Sequence, residues 1–247
     1  MPFAAALLDL DGTLLDTIPD LADAVNAMRV DLSLPVLAQA VIATYVGKGT
    51  RHLVMRSLSD IENSAGSASA QMQPTASVQA GGLAQEQANV PTGEQIEHGL
   101  ALFEQHYHRV NGDKAVLYPG VLEGLNAFKA QGVKLAVVTN KPTEFTLPLL
   151  ERTGLAHFFE HVVCGDTCSE KKPHPMPFLH ACDLLNTHPS DALAIGDSVN
   201  DALAARAAKI TVLAVPYGYN EGINVRNLEV DDIVTSIEAA AQWADLH

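Results

Sequence analysis

Five short apolar runs, at residues 3–8, 134–139, 161–165, 192–196 and 210–215, punctuate this 247-residue chain and end at glycine or polar residues. Runs of this length with such borders are the signature of strands buried on both faces. Before and between the last four lie segments with helical spacing, at 121–130, 146–153, 176–185 and 201–208. Strands alternating with helices of this size predict βαβ units and a parallel sheet, an α/β fold. Ligands of such sheets bind beyond the carboxyl ends of the strands, so the residues just after each run are the first place to look for chemistry.

The first run is followed by Asp9-Leu10-Asp11-Gly12-Thr13, with two carboxylates one residue apart. In an extended chain such residues project to one side, and two like charges in one pocket are unfavourable unless a cation or a shared proton relieves them. Gly12 permits the backbone to turn away after them. The second run ends in Thr139-Asn140-Lys141, and the fourth in Gly196-Asp197-Ser198-Val199-Asn200-Asp201. Between those two lies Glu170-Lys171-Lys172-Pro173-His174-Pro175. Each has a bland reading alone: a cap, a surface turn, a solvated helix start. Together, at the tips of neighbouring parallel strands, they predict one acidic site with a lysine in it.

Residues 17–112 differ in character. Segments 20–28, 36–44, 50–58 and 95–110 have helical spacing, and 59–93 is rich in Ala, Ser, Gln and Gly with almost no large apolar residues. The expected organisation is a catalytic core of residues 1–16 and 113–247, with a helical cap of residues 17–112 inserted after the first strand. The 59–93 stretch reads as a low-complexity insertion in that cap.

Bulk properties narrow the partners. A net charge of −14 argues against a nucleic-acid or anionic-membrane surface, both of which need basic patches. It leaves room for a small anionic substrate, because a metal and a few cations reverse the potential inside a cleft. The three cysteines, Cys164, Cys168 and Cys182, lack zinc spacing and read as reduced thiols. Asp9 and Asp11 interrupt the N-terminal apolar run and no basic segment precedes it, so a secretory signal is not expected. No run approaches the roughly 18 apolar residues of a membrane span. A cytoplasmic monomer or homodimer is the expectation.

The motifs DLDGTLLDT, VVTNK, KKPHP and GDSVND, in that order, resemble those of the haloacid dehalogenase-like hydrolases across nearly the whole chain. Within that superfamily VGKGTR, YPGV, TNKP and YGYN make the sequence most similar to bacterial phosphoglycolate phosphatases. The resemblance implies a Rossmann-like core, a helical cap, Mg²⁺ dependence and an aspartyl-phosphate intermediate. The residue types suit that chemistry. A carboxylate attacking a phosphoryl dianion needs cations gathered first, and carboxylate and carbonyl oxygens suit Mg²⁺. Asp9 is thus expected to be nucleophile and metal ligand, and Asp197 a second carboxylate ligand. Asp11 contributes a backbone carbonyl to the metal, as the resemblance implies, and its side chain serves as the acid that protonates the leaving group. Lys172 neutralises phosphoryl group and nucleophile, while Thr139 and the Asn140 backbone bind phosphate oxygens. Asp201 has two readings, orienting Lys172 or reaching the metal through water, beside simple helix solvation.

In the cap, Gly47-Lys48-Gly49-Thr50-Arg51 precedes a helix, whose backbone N–H groups attract anions. Lys48 or Arg51 is expected to meet a substrate carboxylate there. The cluster His106-Tyr107-His108 reads as an exposed helix face, and Ser169 to Lys172 as a chance match to the S-x-x-K motif. The leading expectation is a Mg²⁺-dependent phosphatase of 2-phosphoglycolate. Its rivals are a broad sugar-phosphate phosphatase, a hexose-phosphate mutase and, in a different class, a phospho-acceptor receiver domain.

Overall fold

The computed structural model describes residues 3–60, 90–220 and 222–247. The chain runs β1 (Ala5–Leu8), β2 (Leu15–Asp16), α1 (Ile18–Asp31), α2 (Gln39–Ala43), α3 (Thr50–Ser59), α4 (Gly93–Val110) and β3 (Val116–Leu117). It continues as α5 (Val121–Ala130), β4 (Lys134–Val138), α6 (Thr143–Arg152), β5 (His161–Val163), α7 (Met176–Leu184) and β6 (Ala192–Gly196). The last elements are α8 (Val199–Ala207), β7 (Thr211–Ala214), β8 (Asp232–Ile233) and α9 (Ile237–Leu246).

Six strands form one sheet in the order β5-β4-β1-β6-β7-β8, and each neighbouring pair is parallel. The sequence explains why both faces are covered. In β1, Ala6 and Leu8 enter one apolar cluster with Leu135, Val137, Leu193 and Ile195. Ala5 and Leu7 enter a second with Ala136, Val138, Ala192 and Ala194. Alternation along each strand thus feeds two cores rather than one core and a wet face. The first core is closed by α5 and α9 through Leu125, Phe128, Ile237 and Ala241, and the second by α7 and α8 through Phe178, Cys182 and Ala204. Cys164, Cys168 and Cys182 are all free thiols.

Register decides where the site forms. Leu8 lies opposite Val137 on one side and Ile195 on the other. The three central strands therefore end level, and the residues after them, including Asp9, Thr139 and Asp197, emerge at one sheet edge.

Helices α1 to α4 build a third apolar cluster from Val25, Met28, Leu53, Val54, Phe103 and Tyr107, with Phe145 of α6. Pro19 sits in the first turn of α1, where the missing N–H costs no helical bond. A Thr92/Gln95 capping box starts α4. The chain leaves the sheet along β2 and returns along β3, which pair antiparallel. Buried Asp20 locks that return by accepting from the backbone N–H groups of Gly112, Lys114 and Ala115 at 2.9, 2.9 and 3.1 Å. Of the expected low-complexity stretch 59–93, residues 61–89 lie outside the described residues. No helix among the described residues is long and apolar enough to cross a membrane.

Candidate active site

Asp9 follows β1 directly and is held in line by its N–H bond to the Ile195 carbonyl of β6, at 2.9 Å. Asp9 is 8% exposed and its carboxylate meets Lys172, whose Nζ lies 2.7 Å from Oδ1. The same ammonium donates to Asp201 Oδ1 and to the Val138 carbonyl, both at 2.6 Å. All three of its N–H groups are thus spent on fixed acceptors, and the lysine has one position. Asp201 also accepts from the Ser198 hydroxyl and N–H, closing a capping box at the start of α8. Of its two readings from sequence, the one in which it orients Lys172 has geometric support.

Asp197, after β6, is 3% exposed. Its Oδ2 accepts from the Tyr219 N–H at 2.6 Å, and Oδ1 from the Thr13 hydroxyl at 3.3 Å. Gly218 lies so close that a Cβ there would stand 2.1 Å from Asp197 Oδ2, so only glycine lets the 217–220 loop wrap this carboxylate. Asn220 in the same loop caps α8 through the Val199 N–H.

Asp9, Asp197 and Asp201 offer oxygens within 4.8 Å of one another. Burial pushes the Asp9 carboxyl up to about 7 from 3.8; Lys172 offsets part of that, and Asp201 and Asp11 add to it. Asp197 is also raised well above 3.8, first by burial and then by repulsion from Asp9 and Asp201. Burial disfavours charge on Lys172 too, but Asp201 and Asp9 outweigh it and hold the ammonium above its usual range. Three carboxylates face one ammonium, an excess of buried negative charge that a divalent cation would neutralise. The donor set, hard oxygens with Asp197 not engaged by any lysine, fits such an ion.

Asp11 projects toward the cap side. Its Oδ1 accepts from the Thr17 hydroxyl at 2.6 Å, and Lys141 Nζ lies 3.1 and 3.2 Å from its two oxygens. Lys141 also contacts the Tyr107 hydroxyl of α4 at 2.6 Å. The strand-end motif alone assigns Lys141 no role; the signal it carries is a lysine right after the Thr-Asn pair. Tyr107 is a correction: the expected exposed face of α4 carries His108 outward, but Tyr107 is 1% exposed and packs on Phe145.

Thr139 and Asn140 follow β4 and are buried. The Asn140 side chain is committed elsewhere, clasping the Lys172 backbone in both directions and donating to the Gly47 carbonyl of the cap. Together with Asp9, Asp11, Lys141, Lys172 and Asp197 these residues line a cavity of about 50 Å³ roofed by Leu21, Val46, Leu53 and Tyr107. Gly47, Gly49 and Thr50, before and at the start of α3, complete its wall with Ser198 and Tyr219. Lys48 and Arg51 do not line it; both are exposed, and Arg51 pairs with Glu97. The structure therefore brings together Asp9, Asp11, Thr139, Asn140, Lys172 and Asp197 but leaves the two cap cations outside.

A sheet edge carrying these groups under a helical roof is matched over residues 3–209 by the family model of the haloacid dehalogenase-like hydrolases, and the chain belongs to that family. Within it, the chain is 44% identical to a phosphoglycolate phosphatase of Nitrosospira multiformis, over 98% of this chain and 96% of that one. It is 41% identical to one of Thiobacillus denitrificans, covering 98% and 95%. A crystal structure from Haemophilus somnus, described as that of a predicted phosphoglycolate phosphatase, superposes with a TM-score of 0.83 at 32% identity, covering 98% of this chain and 97% of that one. Family and relatives make the chain a phosphoric monoester hydrolase.

Proposed function

We propose that this phosphatase hydrolyses 2-phosphoglycolate to glycolate and phosphate, with Mg²⁺, through a phosphorylated Asp9. The observation that carries the reading is the convergence of Asp9, Lys172 and Asp197, distant in sequence, in one buried cluster at the sheet edge. The substrate choice is supported by the names of the relatives and by the cavity, whose 50 Å³ is room for roughly four waters and suits a two-carbon leaving group under the cap.

Asp9, Asp197 and the Asp11 carbonyl would hold the magnesium ion. When bound, it supplies the positive charge that lets a carboxylate approach a phosphoryl dianion. The chain's own residues do the rest. The Thr139 hydroxyl accepts from the Lys141 N–H at 3.2 Å, which leaves its hydrogen for a phosphoryl oxygen, and the Asn140 N–H serves a second. Lys172 fixes Oδ1 of Asp9, so Oδ2 is the oxygen that attacks phosphorus. The bond to the glycolate oxygen breaks as Asp11 gives that oxygen a proton. Asp11 then takes a proton from water, the water oxygen bonds to phosphorus, and the Asp9 carboxylate and inorganic phosphate separate. Lys172 keeps its position throughout, so the attacking geometry needs no reorganisation.

A panel of phosphate esters assayed with Mg²⁺ tests the substrate. The highest kcat/KM is expected for 2-phosphoglycolate, with phosphate released in the absence of any hexose. A sugar phosphate turned over tenfold more efficiently would transfer the reading to the broad-specificity class.

A further inference from the structure

We propose that Lys141 of the core and Tyr107 of α4 form the subsite that recognises the substrate carboxylate, a specificity role that rests on the phosphoglycolate reading above. In 2-phosphoglycolate one methylene separates the ester oxygen from the carboxylate carbon. Whatever binds the carboxylate must therefore adjoin whatever protonates the ester oxygen. Asp11 has the latter task, and Lys141 Nζ lies 3.1 Å from its Oδ1.

Of the two lysines lining the cavity, only Lys141 has capacity for this. Lys172 spends three N–H groups on short contacts of 2.6–2.7 Å. Lys141 shares a longer contact between both Asp11 oxygens, at 3.1 and 3.2 Å, and one short contact with Tyr107. That leaves a donor for a third anionic oxygen. Tyr107 accepts from Lys141, so its own O–H remains to donate, and burial pushes the phenol up to about 12, which keeps that hydrogen in place. Both side chains are buried, so a carboxylate meeting them exchanges water for a fixed ammonium and a fixed hydroxyl. Lys48 and Arg51 lie outside the lining and do not supply such a pair.

The experiment compares kcat/KM for 2-phosphoglycolate with that for 2-hydroxyethyl phosphate, in which a hydroxymethyl group replaces the carboxylate. Lys141→Met should lower this ratio by about 100-fold, the scale of deleting one partner of a buried charge pair. Most of that change should enter through KM, as expected for a contact made equally in ground and transition states. Tyr107→Phe, which keeps the packing, should lower the ratio about tenfold, and Lys141→Arg should restore part of it. On the unaltered chain, lengthening the substrate by one methylene, to 3-phosphooxypropionate, should cost at least about tenfold in kcat/KM. If Lys141→Met slows both esters equally, or Tyr107→Phe and the longer substrate leave the ratios unchanged, the subsite is refuted and Lys141 serves only to hold Asp11. An unaltered enzyme with no preference for 2-phosphoglycolate over 2-hydroxyethyl phosphate would instead overturn the substrate reading, and this subsite with it.

Discussion

A lysine with three short, fixed acceptors is a different object from a surface lysine. Lys172 is 4% exposed and stands between Asp9 and Asp201. Replacing it with Met leaves Asp9, Asp197 and Asp201 together without a cation. Breaking a buried pair in this way typically costs about 3–5 kcal/mol. Lys172→Met is therefore expected to lower urea-unfolding stability by that order in metal-free protein, and Mg²⁺ should recover more of the loss than it adds to the unaltered chain. Equal gains from Mg²⁺ in both proteins would argue against shared neutralisation of one acidic cluster. Much of this site was legible in sequence because its residues sit at strand ends, where Asp9, Thr139 and Asp197 are marked by apolar runs before them. Lys141 and Tyr107 were not, because their pairing crosses from the β4 tip to α4 and no local spacing encodes a contact between residues 34 apart.

The elements were readable in proportion to their length and burial. Strands β1, β4, β6 and β7 fall within the predicted apolar runs, since both faces are covered and the signal is continuous. Strand β8 has two exposed residues and offers no pattern at all. Helix α6 begins at Thr143, three residues before the predicted start, and includes Pro148 within it. Helix α9 has no counterpart among the expected segments, although it closes the core over α5. There Gly124 admits the partner's backbone: a Cβ would lie 2.3 Å from the Ile237 carbonyl carbon. Gly124→Ala should push α9 off the sheet and cost about 1–3 kcal/mol by urea unfolding, the usual range for overpacking. No residue of α5 or α9 lines the cavity, so kcat should hold within about threefold while the fold persists. A neutral or stabilising effect would show that α5 and α9 separate freely.

At the scale of the molecule, the fold concentrates buried carboxylates at one sheet edge, and pH should expose that. Burial raises Asp9 to about 7 in the metal-free protein, so its carboxyl binds a proton more tightly folded than unfolded. The folded state then holds more protons between about pH 4 and 7, and this group's contribution to stability falls as pH rises through that window. Mg²⁺ binding should accordingly raise Tm more at about pH 8 than at about pH 5; an equal gain at both would contradict a raised Asp9. The central claim is that Asp9 itself takes the phosphoryl group. Its most direct test is acid quenching during turnover of 2-phosphoglycolate with Mg²⁺, followed by mass spectrometry and borohydride reduction to locate the acyl phosphate. A single phosphoryl group on Asp9, absent from Asp9→Asn together with activity, is the expected result. Turnover with no phosphorylated protein at any quench time, or full activity in Asp9→Asn, would contradict it.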